Sequence, residues 1–121
     1  MRINNIQIAA IEMVLVSKFV DNTVLFLKEH FTAWASTKTD SEITAQVQSL
    51  LETAKEFNIR AEINVMRFII CVVKCSLTFP VPPELISILM NGEANESVRV
   101  EIFCINALSG IYKLNELKIN I

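Results

Sequence analysis

The chain holds only two glycines, Gly92 and Gly110, in 121 residues. An all-β fold of this length needs many tight turns, and tight turns draw on glycine and its dipeptides. The few breaks instead separate segments long enough to be helices. The expected fold class is all-α: a compact single-domain bundle of about five helices with a buried third helix.

The first segment runs from Asn5 to about His30. Asn4 or Asn5 can cap its start by accepting from free backbone N–H groups. Ile8, Ile11, Leu15, Phe19 and Phe26 recur near helical spacing, with Asn22 as the exception. Ile6, Ala10, Met13, Val14, Val20, Val24 and Leu27 widen the stripe past half the circumference, so this helix is central to the core or meets a partner. The polar run Ser36–Ser41 is a loop. Asp40 or Ser41 then caps a second helix, about Glu42 to Phe57, with Ile43, Val47, Leu50, Leu51, Ala54 and Phe57 on one face. Asn58 stops it, because asparagine tolerates the left-handed conformation.

A third helix spans about Ala61 to Cys75. Arg60, Asn64, Arg67 and Lys74, with Cys71, fall on one narrow polar stripe, and the rest is apolar. The elbow Phe79-Pro80-Val81-Pro82-Pro83 forbids its continuation. Pro83 suits the first turn of a short helix reaching Met90, which Asn91-Gly92 ends. Asn95 or Ser97 starts a last helix, about Glu96 to Ser109, with Val98, Ile102, Ile105 and Leu108 expected to face inward and Gly110 to close it. The tail, 111–121, keeps Ile111, Leu114, Leu117 and Ile119, and either docks or orders on a partner.

Apolar residues make up 52% of the chain even without glycine, which excludes disorder. A domain of this length has a limited core volume, and aliphatic residues beyond that volume lie on the surface. Monomers rarely expose large apolar patches, so a homodimer or an obligate protein partner is expected. Ile11, Val16, Phe31 and Trp34 are candidate contact residues, Trp34 being the only tryptophan. Trp34 could equally cover the end of the core. The net charge of −2 supplies no domain-wide positive field, so no nucleic-acid partner is expected. The best cationic cluster is Arg60, Arg67 and Lys74, either ion-paired with Glu62 or a neighbouring helix or anchoring an acidic partner surface.

Chemistry is sparse. His30 is the only histidine, and no glycine-rich phosphate loop exists. Cys71 and Cys75 lie one helical turn apart without a neighbouring histidine or aspartate, so no metal or cofactor is expected. Cys71, Cys75 and Cys104 are read as reduced and buried. The acidic residues lie mostly on solvent faces of amphipathic helices. Catalytic residues are therefore not assigned, and the chain is expected not to be an enzyme. The first residues lack the pattern of a secretory signal, and no apolar run is long enough to span a membrane, so a cytoplasmic location is expected.

The order of several motifs resembles a known family. Gln7-Ile8-Ala9-Ala10-Ile11-Glu12 is followed by Phe19-Val20 and by Leu27-Lys28-Glu29-His30-Phe31. Ala54-Lys55-Glu56-Phe57-Asn58-Ile59 and Glu62-Ile63-Asn64-Val65-Met66-Arg67-Phe68-Ile69 come next. Residues 7 to 70 resemble small helical proteins encoded beside type VI secretion effectors and their adaptor chaperones in Gram-negative bacteria. In that family the corresponding turn is "Y-G-I", where this chain has Phe57-Asn58-Ile59, and a proline follows "H-F", where this chain has Thr32. The glycine and "F-D" after the third helix are replaced by Cys75-Ser76-Leu77-Thr78-Phe79-Pro80. The resemblance implies a non-enzymatic accessory role, a co-chaperone or co-adaptor that binds an effector or its adaptor. An immunity protein against a cognate toxin is the alternative. Contact residues expected under either reading are Ile11, Phe31, Trp34, Arg60, Arg67 and Lys74.

Overall fold

The computed structural model describes residues 5–79 and 81–110, with side chains from Leu15 onward. The side chain of Ile11, the cap at Asn4 or Asn5 and the tail 111–121 lie outside the described residues. Six helices and no strand occur among the described residues, so the fold class is all-α. They are α1 (Asn5–His30), α2 (Thr32–Ala35), α3 (Asp40–Glu56), α4 (Glu62–Lys74), α5 (Pro83–Leu89) and α6 (Glu96–Ser109). Contacts divide the chain into two units, Met1–Ser49 and Leu50–Ile121, and the division falls inside α3.

In the first unit, α1 buries Val20, Thr23, Val24 and Leu27, a stripe at helical spacing. Thr23 adds no polar cost, because its hydroxyl donates to the Phe19 carbonyl at 2.8 Å. Phe31, with φ −127° and ψ 56°, breaks the helix. The single turn α2 follows and packs against α1. Thr39 caps α3, in place of the expected Asp40 or Ser41. The Thr39 hydroxyl accepts from the Glu42 N–H at 3.2 Å, and the Glu42 carboxylate accepts from the Thr39 N–H at 3.2 Å. Thr39-x-x-Glu42 is thus a reciprocal capping box, whose signature requires this spacing.

In the second unit, α3 ends as expected at Asn58, which takes φ 56°. The Asn58 N–H donates to Lys55 and the Ile59 N–H to Ala54, and Ile59 is fully buried. This is a Schellman closure with its apolar plug. Helix α4 ends the same way, with Ser76 at φ 52° and the Leu77 N–H donating to the Val72 carbonyl at 2.9 Å. The helix therefore stops before the proline elbow reaches it. Pro83 stands at the start of α5, where its missing N–H costs nothing. Asn95 caps α6 by accepting from Val98 N–H at 2.9 Å, and Gly110 ends it at φ 68°.

Helix α6 packs on both α4 and α5. Phe103 lies with its ring centroid 5.4 Å from that of Phe68 on α4, and both are fully buried. Phe79 adds a third ring, 5.8 Å from Phe68. Such tilted pairs add about 1 kcal/mol each beyond the burial of their area.

The inward face of α6 differs from the expected one. Val100, Phe103 and Ala107 are buried, whereas Val98, Ile102, Ile105 and Leu108 are 39, 40, 57 and 54% exposed. The helix is apolar on two sides, and its inward stripe begins with Glu96 and Arg99, which conceal it from a count of apolar residues. The polar stripe expected on α4 also divides: Asn64 and Cys71 are buried, while Arg60, Arg67 and Lys74 are exposed. Asn64 is buried because its amide is hydrogen-bonded to α6. Cys71 is buried because a thiol packs as a small apolar group.

Candidate protein-binding surface

The exposed apolar feature of α6 is the outward stripe Val98, Ile102, Ile105 and Leu108. Spacings of four, three and three place the four side chains on one face. The helix beneath them is held by polar bonds made from its other side. Glu96 accepts from the Arg60 N–H at 2.6 Å, the Ala61 N–H at 3.1 Å and the Asn64 amide at 2.6 Å. The first two donors precede α4, so the carboxylate meets backbone dipoles at the start of that helix. Partial burial pushes the Glu96 carboxyl up, but the hydrogen bonds from Asn64, Arg60 and Ala61, with the charge of Arg99, outweigh it. Its pKa lies below the ordinary carboxylate value.

Arg99 does the opposite work one turn later. Its Nη1 donates to the carbonyls of Phe57 and Leu89, each at 2.7 Å, and Nη2 reaches Asn58 at 3.4 Å. These carbonyls end α3 and α5, where a cation is favoured. Arg99 also stands in the wall of an open cleft of about 310 Å³ bordered by Phe57, Asn58, Met90 and Gly92. Met90 is 68% exposed there. With its guanidinium engaged by carbonyls, Arg99 makes this wall a structural joint.

The residues singled out by sequence fall in two groups. Phe31 and Trp34 belong to the first unit and are half-buried at the α1–α2 turn, where Lys38 Nζ stands 4.9 Å from the centre of the Trp34 ring. Trp34 is thus one face of a cation–π contact. Arg60, Arg67 and Lys74 belong to the second unit, and their sevenfold spacing aligns them along α4 and its approach. None of the three makes an ion pair among the described residues, so the expected pairing with Glu62 is not formed there. Val16, on α1, is 42% exposed, and Leu15 and Leu25 are 54 and 57% exposed. Glu96 and Arg99 were not singled out by sequence, and the outward stripe of α6 was singled out only as an inward face. The signal available for the first two was their spacing of three in the opening turn of a capped helix.

His30 stacks on Phe26 with ring centroids 4.3 Å apart, in the first unit, while all three cysteines lie in the second. Only Cys71 is buried; Cys75 and Cys104 are half-buried, which corrects the expectation that all three are buried. Among the described residues, no group of three or more His, Cys, Asp or Glu side chains converges as a metal site. No described helix is long and apolar enough to cross a membrane. Comparison with protein-family models, curated proteins and solved structures finds no match.

Proposed function

We propose that the protein is a non-enzymatic accessory protein of the cytoplasm that binds a type VI secretion effector or its adaptor. The observation that supports this reading most directly is the outward stripe Val98, Ile102, Ile105 and Leu108 on α6. Four aliphatic side chains on one helical face form a seam suited to a groove or helix on another protein. Burying such a seam supplies affinity, while the exposed cations Arg60, Arg67 and Lys74 set orientation against an acidic partner. In this reading Phe31, Trp34 and Ile11 are proposed as further contacts to the partner. The resemblance of residues 7 to 70 to effector-associated helical proteins names the partner class. An immunity protein, which neutralises a cognate toxin by the same kind of contact, is the second reading.

The test is an affinity pull-down from the native host with the tagged protein and with an Ile105→Glu/Leu108→Glu variant, followed by a salt wash and mass spectrometry. Recovery of an adaptor with a large effector by the parent chain, and its loss in the variant, supports the accessory reading. Recovery of a toxin domain alone favours immunity. Equal recovery by both proteins, or none by either, overturns the assignment to this face.

A further inference from the structure

Helices α4 and α6 bring two cysteines together that are 33 positions apart in the chain. The Cys104 thiol lies 3.8 Å from the Arg67 carbonyl, within hydrogen-bond reach for sulfur. Arg67 is one helical turn before Cys71, so the Cys104 sulfur sits beside the turn that carries Cys71. The Phe68–Phe103 contact fixes this register, because each ring is within one turn of one of the cysteines. The Cys71 and Cys104 thiols are close enough to shift one another's ionisation. Cys71 is 4% exposed, and Cys104 is half-buried with an opening to solvent.

We propose that Cys71 and Cys104 are a redox modification site that closes to a disulfide between α4 and α6 when a hydroperoxide reaches Cys104. The two thiols have different environments, and these set their roles. The neighbouring Cys104 thiol, followed by burial and by Cys75, pushes the Cys71 thiol up. The neighbouring Cys71 thiol lowers Cys104, partial burial opposes this, and the charge of Arg67 lowers it further. Cys104 is the sulfur open to solvent and Cys71 is 4% exposed, so access makes Cys104 the one that meets the peroxide. The Cys104 thiolate attacks the nearer peroxide oxygen and the O–O bond breaks. The departing oxygen takes up the proton that the Cys104 thiol released on ionising, which completes water or alcohol and leaves Cys104 as the sulfenic acid. The Cys71 thiol then displaces hydroxide from that sulfur, its own proton completes a water molecule, and the S–S bond forms. Two thiols are oxidised by two electrons, and one peroxide is reduced. The sulfurs must close to about 2.05 Å. Cys75, on the same helix as Cys71, is not part of the linkage.

The experiment treats the full chain with equimolar hydrogen peroxide and maps the products by intact mass and by non-reducing peptide mass spectrometry. The expected product is a monomer lighter by about 2 Da, with Cys71 joined to Cys104. A Cys75→Ser variant forms the same link at an unchanged rate. A Cys71→Ala variant, checked for helix content by circular dichroism, instead accumulates a sulfenic acid at Cys104 that dimedone traps. The wild-type peptide map needs no variant to fold and decides the matter alone. Linkage through Cys75, linkage between two chains, or oxidation of Cys104 to the sulfinic acid without a bond to Cys71 would each overturn the proposal.

Discussion

Glu96 and Arg99 stand one turn apart on α6 and bind opposite kinds of backbone group: Glu96 takes the N–H groups that precede α4, and Arg99 takes the carbonyls that end α3 and α5. Helix ends carry unpaired donors at one terminus and unpaired acceptors at the other. One anion and one cation on a single helix satisfy both sets. This pair therefore joins elements of the second unit alongside its aromatic core.

Replacing Glu96 by alanine strands the donors of Arg60 and Ala61 and removes one partner of the buried Asn64 amide, which keeps its bond to Ser97 at 3.1 Å. Hydrogen bonds to charged groups are worth about 1.5–3 kcal/mol each, and the exposed N–H groups recover part of that from water. The expected loss is about 2–3 kcal/mol by urea denaturation. A loss under about 0.5 kcal/mol would show that the carboxylate only decorates the surface.

The same carboxylate gives stability a pH dependence of known sign. Its pKa is lowered in the folded chain, so its contribution is complete above the unfolded carboxylate pKa and is lost as pH falls through the folded value. The stability difference between the parent chain and Glu96→Gln is thus largest at neutral pH and narrows under acid conditions. Denaturation midpoints measured from neutral pH down to the carboxylate range check this. A gap that widens in acid has the wrong sign.

Arg99→Lys tests geometry separately from charge. A lysine keeps the cation but cannot hold carbonyls of three residues with a planar fork. Arg99→Ala is expected to cost about 2–3 kcal/mol and Arg99→Lys about half of that. Equal costs in thermal denaturation would mean that the fork is essential, and no cost for lysine would mean that charge alone suffices.

Backbone strain gives a prediction of opposite sign at two helix ends. Ser76 occupies the left-handed region at φ 52°, where a Cβ is unfavourable, so Ser76→Gly is expected to stabilise by about 1 kcal/mol. Gly110 occupies the same region at φ 68° with open space around it, so Gly110→Ala is expected to destabilise by about 1 kcal/mol through strain alone. Denaturant midpoints that move the same way for both would refute the assignment of the two caps.

The two sides of α6 should respond differently to substitution. Phe103→Ala removes a fully buried ring from its contact with Phe68 and is expected to cost about 3–5 kcal/mol. Ile105→Lys, at a site 57% exposed, is expected to change stability by less than about 0.5 kcal/mol while reducing self-association or partner binding. Parallel denaturation and sedimentation measurements separate the two effects. A large stability loss at Ile105 would show that this face is already covered.

Local chemistry was enough to place most helix boundaries. Asn58, Gly110 and Pro83 act on backbone groups a few residues away, and each ends or starts a helix where the sequence alone puts that boundary, while Asn95 is one of the two caps, Asn95 or Ser97, that the sequence offers for α6. The apolar face of α3 is likewise legible, because Ile43, Val47, Leu50 and Ala54 lie opposite a charged face and are all buried. The capping box at Thr39 is equally local, but three adjacent capping residues compete in Thr39-Asp40-Ser41, and only the pairing with Glu42 decides among them.

Which side of α6 faces inward was decided by the tertiary structure. A stripe of Val98, Ile102, Ile105 and Leu108 has more apolar bulk than one of Glu96, Arg99, Val100, Phe103 and Ala107, so hydrophobic spacing selects the wrong face. The second stripe is inward because free N–H groups before α4, free carbonyls after α3 and α5, and the ring of Phe68 all meet there. Periodicity reports how apolar a face is, whereas orientation depends on the partners that neighbouring elements present. For the same reason Arg60, Arg67 and Lys74 are legible as one line, while the burial of Asn64 and Cys71 between them follows only from the packing of α6 against α4.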